Sequence, residues 1–128
     1  MDHRYYFDGN KKMISWIIQD DETKFEQIRD HVEDYLDKIS IEQSKYIALH
    51  VGIFWAIGRF IIKNGDSVKI MLDLKSMYEH LTGKKPTLDQ FIESRTNFIK
   101  QIIEQRNLQV QFEIIEPSQN IATKLLSS

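Results

Sequence analysis

The sequence contains no cysteine, and this absence alone removes several classes of protein. Disulfide scaffolds, cysteine-ligated zinc sites and thiol nucleophiles all need that residue. Only two prolines and five glycines occur among 128 residues, which excludes collagen-like and linker-rich chains. Neither sign of charge dominates, because the formal net charge is −2. A polyanion would therefore have to be bound by a local patch or through a metal ion.

Long hydrophobic runs are also absent. The most apolar stretch, residues 46–62, is interrupted by a histidine, two glycines and an arginine, and it is too short and too polar to span a membrane. The first ten residues carry three charged side chains and lack the apolar region of a signal peptide. We therefore expect a soluble, cytoplasmic protein with no membrane partner.

The residues that are present suit one globular domain. Hydrophobic residues make up 41% and charged residues 28% of the chain, and a chain of this length can bury its own core. No internal repeat, low-complexity tract or linker divides it. The sequence therefore predicts a single domain over residues 1–128.

Hydrophobic periodicity predicts the element order β-β-β-α-β-α-α-β-α. A helix between two strands indicates a parallel crossover, so the predicted fold is α/β, with a mixed sheet of about five strands and helices on its faces. A turn at Asp8-Gly9-Asn10 is expected after the first strand. The first helix is expected to begin after Ser40 as its N-cap and to end at Asn64-Gly65. The predicted strands are 4–7, 12–18, 25–35, 68–73 and 109–115, and the other helices are 74–81, 87–105 and 122–126.

Two carboxylates stand where ligands usually bind in an open α/β sheet. Asp8 ends the first predicted strand, and Asp73 ends the strand after the crossover helix. If these strands are neighbours, the two carboxylates meet within reach of one hard cation, Mg²⁺ or Mn²⁺. The alternative is that each is a turn aspartate that caps nearby backbone.

The element order and these residues together resemble the ribonuclease H-like superfamily, in particular the small prokaryotic-type ribonucleases H. Residues 5–10, Tyr-Tyr-Phe-Asp-Gly-Asn, are similar to the first-strand motif apolar-x-Thr-Asp-Gly-Ser. Residues 68–76 end in Asp-Leu-Lys-Ser, where the family has Asp-Ser-Lys or Asp-Ser-Gln. Residues 77–106 and 111–115 are similar to the later helices and the last strand. The resemblance covers nearly the whole chain and implies the fold predicted above.

The resemblance also implies a degenerate active site. The family places a catalytic glutamate early in the long helix, within Thr-Asn-Asn-Glu-Ala-Glu-Tyr. The corresponding segment here is Ser-Ile-Glu-Gln-Ser-Lys-Tyr, so Lys45 stands in place of that glutamate. Near the C-terminus the family has Asn-x-x-Ala-Asp, and Thr123 replaces the aspartate. Of four expected acids, Asp8 and Asp73 remain as the catalytic and metal-binding pair.

This loss of acids changes what the site can hold. Four carboxylates hold two divalent cations, whereas two hold at most one Mg²⁺ or Mn²⁺, and weakly. The Lys45 ammonium is expected to pair with Asp8 or Asp73 and so to compete with a cation. Glu42 lies about one helical turn before Lys45 and is a candidate substitute for the missing glutamate.

A local basic surface is the candidate nucleic-acid interface, for an RNA–DNA hybrid or another duplex. Its predicted contacts are Asn10, Lys45, Lys75, Lys84 and Lys85. By contrast, Trp16, Phe54 and Trp55 lie in apolar runs and are expected in the core rather than stacked on bases.

Three functions remain open at this point. The first is a ribonuclease H-like protein that has lost most hydrolysis and acts as a nucleic-acid-binding or protein-interaction module, with a partner protein or a second copy. The second is an active Mg²⁺- or Mn²⁺-dependent ribonuclease H that cleaves RNA in hybrids at Asp8 and Asp73. The third is an unrelated α/β binding protein. Lys45 and Thr123 favour the first over the second, so we expect a protein without efficient turnover.

Overall fold

A computed structural model describes residues 1–126, which form five strands and four helices. The last two residues of the predicted domain lie outside the described part. The element order is the predicted one, with a short 3₁₀ turn at Pro117–Gln119 added before the terminal helix. The strands are β1 (Asp2–Gly9), β2 (Met13–Gln19), β3 (Lys24–Asp30), β4 (Ser67–Leu72) and β5 (Gln109–Ile114), and the helices are α1 (Ile41–Gly58), α2 (Lys75–Leu81), α3 (Gln90–Gln105) and α4 (Thr123–Leu126).

The five strands form one mixed sheet in the order β3-β2-β1-β4-β5. β1, β2 and β3 are an antiparallel meander, whereas β4 lies parallel to both β1 and β5. The connection from β1 to β4, which includes α1, therefore ends in a parallel strand pair. A parallel crossover was predicted, whereas the sequence left open whether β1 and β4 are neighbours. Because β1 and β4 are parallel neighbours, their carboxyl ends lie at the same edge of the sheet.

Helices cover both faces of the sheet. Tyr5 of β1 is fully buried on one face, and its hydroxyl donates to the Ala48 carbonyl of α1 at 2.6 Å. Burial raises the pKa of Tyr5 well above its usual value. On the other face, Ser15 of β2 donates through Oγ to the Ala122 carbonyl just before α4, at 2.8 Å. The predicted α/β class and helix placement are confirmed. Among residues 1–126, no helix combines the length and apolar character needed to cross a bilayer.

The first hairpin and the third strand differ from the sequence prediction in extent. Asp8 and Gly9 belong to β1 rather than to a turn, since they pair with Ser15 and Ile14 of β2. The turn begins at Asn10. β3 ends at Asp30 instead of continuing to Tyr35, because β2 begins at Met13, opposite Asp30. The His31 amide still donates to the Lys12 carbonyl at 2.9 Å, and the chain then turns, with the Tyr35 amide donating to the Val32 carbonyl at 2.9 Å.

Helix α1 ends at Gly58, earlier than predicted. The Phe60 amide donates to the Ile57 carbonyl at 3.1 Å and the Ile61 amide to the Ala56 carbonyl at 2.9 Å, which together form a Schellman motif. Phe60 holds the left-handed position of that motif, with φ of 60°. The turn directs Ile62 into the core, where it is only 2% exposed.

Replacement of Phe60 with glycine is expected to stabilise the protein. The left-handed backbone costs a residue with a side chain about 1 kcal/mol and costs glycine little, although glycine loses more entropy on folding. Little apolar burial is lost, because Phe60 is 78% exposed. We expect urea denaturation to show a net gain of about 0.5 kcal/mol. Phe60→Ala, which removes the ring but keeps the strained backbone, is the control and should give no gain. Equal stabilities of the two variants would contradict this account.

Candidate active site

The two aspartates predicted to meet do so at the shared edge of β1 and β4. Asp8 is the penultimate residue of β1, and Asp73 follows the last residue of β4. Their side chains are only 8% and 7% exposed. Because burying a charge is costly unless it is paired, the group that lies between them decides the chemistry of the site.

That group is the ammonium of Lys45, in the second turn of α1. Lys45 Nζ donates to Asp8 Oδ1 at 2.7 Å and to Asp73 Oδ1 at 3.0 Å, so the pairing predicted with one carboxylate occurs with both. Burial lowers the pKa of Lys45, but hydrogen bonds to Asp8 and Asp73 and their charges outweigh it, and the pKa ends above its ordinary value of 10.5. Lys45 is therefore charged at neutral pH, and two carboxylates with one ammonium leave a formal charge of −1.

A glycine lets α1 approach β1 closely enough for Lys45 to reach both acids. A Cβ atom built on Gly9 would lie 2.8 Å from the carbonyl carbon and oxygen of Ser44, the residue before Lys45. Ser44 is itself fully buried, and its Oγ lies 2.8 Å from His31 Nε2. The Asp-Gly pair at the end of β1 thus supplies both an acid and the space that the helix needs.

Three further donors bind the two carboxylates, and together with Asp8, Asp73 and Lys45 they form the cluster at this site. Thr123 Oγ1 donates to Asp8 Oδ2 at 2.5 Å, and the Gly9 amide donates to Asp8 Oδ1 at 2.8 Å. Asn120 Nδ2 donates to Asp73 Oδ2 at 2.8 Å and to the Phe7 carbonyl at 2.9 Å. Each of the four carboxylate oxygens therefore accepts at least one hydrogen bond.

Asn120 is the member of the cluster that the sequence analysis missed. It is only 3% exposed, and its Oδ1 accepts from the Ala122 amide at 3.1 Å, which shapes the turn before α4. Its position three residues before Thr123 could have indicated this role, since one tight turn brings both side chains to the same side.

The cluster as it stands does not fit a pair of divalent cations. Mg²⁺ requires oxygen ligands in near-octahedral geometry, and here an ammonium lies between the two carboxylates. Within residues 1–126, no group of three or more histidine, cysteine, aspartate or glutamate side chains is arranged to hold a metal ion. Asp8 and Asp73 are the residues that would bind a cation if Lys45 were removed.

Glu42, the candidate substitute for the missing glutamate, faces another group. Its Oε1 accepts from Ser76 Oγ at 3.0 Å, which links the first turns of α1 and α2. No hydrogen bond or ion pair joins it to Asp8, Asp73 or Lys45 within the described chain.

The predicted nucleic-acid contacts are divided among three places. Asn10 caps its own hairpin, with Oδ1 accepting from the amides of Lys12 and Met13 at 2.8 and 2.9 Å. Lys45 is held by the two aspartates, as described above. The other three lysines lie at α2 and the loop after it.

Those three lysines lie beside the end of β4 and contact different partners. Lys75 and Lys85 pair with Glu79 at 3.8 and 2.8 Å, and the hydrogen bond from Lys85 is the main reason that the pKa of Glu79 is lowered. Lys84 lies over the Tyr78 ring, 5.4 Å from its centre. Lys75 and Lys85 line a groove of about 580 Å³ that also includes Glu42 and Glu79.

Comparison with known proteins adds structural relatives. No protein-family model matches the sequence, and no curated protein matches it. Solved structures do match. RNase H1 from the halophilic archaeon Halobacterium salinarum is 13% identical, with a TM-score of 0.74 over 99% of this chain and 98% of that one. The N-terminal RNase H domain of a Mycobacterium tuberculosis protein is 12% identical, with a TM-score of 0.79 over 98% and 95%. LC11-RNase H1, in a complex with an RNA/DNA hybrid, is 14% identical, with a TM-score of 0.76 over 97% and 91%. This likeness over nearly the entire length shows that the protein has the ribonuclease H-like fold.

Proposed function

We propose that this protein is a ribonuclease H-like module that binds a nucleic-acid duplex and does not hydrolyse it. One observation carries the proposal: Lys45 Nζ lies 2.7 and 3.0 Å from Asp8 and Asp73, where a cation would have to bind. Two-metal hydrolysis needs divalent ions that clamp the attacking and leaving oxygens. A fixed ammonium supplies neither a Lewis acid nor an activated water.

Electrostatics favours the ammonium over a metal ion. Two unit charges about 4 Å apart have an interaction energy on the order of 4 kcal/mol at the effective dielectric constant of a protein surface, favourable for opposite charges and unfavourable for like charges. An incoming divalent cation would meet repulsion of that order per unit charge from Lys45. It would also have to displace the hydrogen bonds that Thr123 and Asn120 make to the carboxylates.

Binding of a duplex is supported by the neighbours and by the lysines near Asp73. One neighbour was solved with an RNA/DNA hybrid and another, a foamy viral protease-reverse transcriptase, with double-stranded DNA. The second likeness spans 93% of this chain and 22% of that one, with a TM-score of 0.63. In the present chain, Lys84 forms no ion pair among residues 1–126 and is free to contact a phosphate. Lys75 and Lys85 can also contact phosphates once their ion pairs with Glu79 are broken.

Two other hypotheses came from the sequence: an unrelated α/β binding protein and an active hydrolase. The ribonuclease H-like fold excludes the first of them, an α/β protein of another fold. An active hydrolase keeps one supporting observation, since Asp8 and Asp73 both lie at adjacent strand ends. A cleavage experiment separates it from the non-hydrolysing module.

The binding part predicts a salt-dependent affinity for an RNA–DNA hybrid in the presence of EDTA. Fluorescence anisotropy between about 50 and 200 mM salt should give a slope of log K against log salt near −2 to −3, since each neutralised phosphate contributes about 0.9. Lys84→Ala should reduce that slope by about 1. Lys24→Ala, an exposed lysine on the edge strand β3, is the matched control and should leave the slope unchanged. If no duplex binds, the binding part of the proposal is wrong.

The hydrolytic part is tested on the same hybrid with an end label, in Mg²⁺ and in Mn²⁺. We expect no products from the wild-type protein. Cleavage that Asp73→Asn abolishes would mean that the two acids displace Lys45 and assemble a metal site, and it would establish the active hydrolase instead.

A further inference from the structure

A second charged group lies away from Lys45 and takes no part in the function proposed above. Arg95 of α3 packs against α1 at His50, about 140° around that helix from Lys45. Arg95 Nη1 donates to His50 Nδ1 at 3.0 Å, and Nη2 donates to the Tyr35 hydroxyl at 3.2 Å. Together with the surrounding rings these residues form what we name the Arg95 cluster: Tyr35, His50, Phe54, Phe91, Arg95 and Phe98.

The positive charge of Arg95 has no anionic partner among the described residues. Burial and the nearby Arg95 charge lower the pKa of His50 to about 4, so the imidazole is neutral and accepts the hydrogen bond. The rings of Tyr35 and Phe91 lie 5.8 and 5.2 Å from the guanidinium carbon and offset part of the charge through cation–π contact. Over residues 1–126, no carboxylate forms an ion pair with Arg95. Within the described part of the chain, a half-buried guanidinium therefore remains without a counterion.

Apolar surface surrounds this charge. The cluster borders a cavity of about 350 Å³, large enough for one or two side chains. Phe98 is 51% exposed and Phe54 is 43% exposed, and the His50 ring stacks on Phe98 with centroids 5.7 Å apart. The sequence placed Phe54 in the core, which is wrong because it lies on the side of α1 turned away from the sheet. Exposed aromatic rings beside an unpaired arginine are typical of protein-binding surfaces.

The charges around the cluster restrict what can bind there. A guanidinium fork holds a carboxylate through two parallel hydrogen bonds, and the exposed rings can cover an adjacent apolar side chain. The segment that carries Tyr35 also carries the exposed acids Glu33 and Asp34. These acids repel a polyanion such as a nucleic-acid strand but tolerate one carboxylate on an otherwise apolar ligand.

We propose that the Arg95 cluster is a docking site for a segment of a partner protein that presents one carboxylate next to aromatic or aliphatic side chains. The carboxylate pairs with Arg95, and the apolar side chains pack on Phe54 and Phe98. This surface is separate from the lysines near Asp73, so a partner protein and a duplex can be bound at the same time.

The test uses the full chain labelled with ¹⁵N and two peptides, acetyl-Leu-Asp-Phe-Leu-amide and acetyl-Leu-Asn-Phe-Leu-amide. They differ in one carboxylate. In NMR titrations the aspartate peptide should shift the resonances of the Arg95 cluster and bind about tenfold or more tightly than the asparagine peptide. Equal binding of both peptides, or shifts outside the cluster only, would overturn the proposal. So would an RNA–DNA hybrid that shifts the same cluster resonances.

Three variants make the test specific. Arg95→Met should remove the preference for the aspartate peptide, and Arg95→Lys should retain only part of it, because lysine keeps the charge but not the fork. Arg59→Met is the matched control: Arg59 also lies over an aromatic ring, 5.6 Å from that of Trp55, but outside the cluster. If Arg95→Met does not fold, Arg95→Lys and Phe98→Ala carry the test. Arg95→Lys should reduce the preference for the aspartate peptide, and Phe98→Ala should weaken the binding of both peptides. An unchanged preference in Arg95→Lys, or unchanged affinities in Phe98→Ala, would contradict the proposal. Hybrid binding should be the same in all the folded variants, which separates this proposal from the function proposed above.

Discussion

Replacement of Lys45 with glutamate and of Thr123 with aspartate is expected to create a divalent-cation site. The formal charge of the cluster changes from −1 to −4, because an ammonium is lost and two carboxylates are added beside Asp8 and Asp73. The new acids stand where the resemblance places the family's missing ones. Without metal, four close carboxylates repel one another, so this variant should be less stable than the wild type.

Metal binding should then restore stability to the double variant. We expect Mn²⁺ to raise its melting temperature and to bind at least about tenfold more tightly than to the wild type, a difference of about 1.4 kcal/mol. Cleavage of an RNA–DNA hybrid in Mg²⁺ or Mn²⁺ is expected to appear in this variant. Isothermal calorimetry and thermal denaturation measure the binding independently of activity.

A control variant separates the two effects in this experiment. Lys45→Gln removes the ammonium but adds no acid, so it should improve Mn²⁺ binding less than the double variant does. If the double variant is folded by circular dichroism yet binds Mn²⁺ no better than the wild type, Lys45 is not what keeps cations out.

The second large effect is expected for Lys45→Met, which removes the charge and keeps most of the side chain's apolar volume. Breaking a buried ion pair by deleting one partner typically costs about 3–5 kcal/mol, because an uncompensated buried charge is left behind. Here two such charges are left, since the side chains of Asp8 and Asp73 are 8% and 7% exposed. Urea denaturation at pH 7 should show a loss in this range.

An exposed ion pair provides the matched control. Lys69 lies 3.9 Å from Glu113, and their side chains are 42% and 48% exposed. Lys69→Met should therefore change the free energy of unfolding by no more than about 0.5 kcal/mol. Equal losses for Lys69→Met and Lys45→Met would mean that the buried cluster contributes nothing special to stability.

The stability difference between the wild type and Lys45→Met should depend on pH in a defined direction. The folded-state pKa of Lys45 is raised above 10.5, so its contribution is fully present below that pH and is lost as the pH rises through the higher folded value. Denaturation of both proteins across the pH range checks this, and a constant difference would contradict it.

Local patterns in the sequence determined the element order, the crossover and the aspartate pair. Each strand and helix was predicted from the spacing of its own apolar residues. A helix between two strands indicates a parallel crossover, but α1 follows β3 in the chain, so the sequence left open whether β1 and β4 are neighbours. The placement of Asp8 and Asp73 at one sheet edge was predicted on the condition that β1 and β4 are neighbours, and the structure meets that condition. The substitution of Lys45 for an acid was visible through the resemblance to the ribonuclease H-like family.

The tertiary structure alone decided features that depend on distant partners. β3 ends opposite Met13, the first residue of β2, and α1 ends where the chain must turn to bury Ile62.

The contacts of the site and of the Arg95 cluster also join residues that are far apart in the chain. Lys45 and Asp8 are 37 positions apart, Asn120 and Asp73 47, and Thr123 and Asp8 115. Arg95 meets His50 from 45 positions away. Periodicity reports which face of an element is apolar, but it does not report which side chain of another element lies opposite. That information depends on the path of the whole backbone. Only the folded chain therefore showed that the Lys45 ammonium, expected beside one of the two acids, binds both, and that Arg95 has no counterion among residues 1–126.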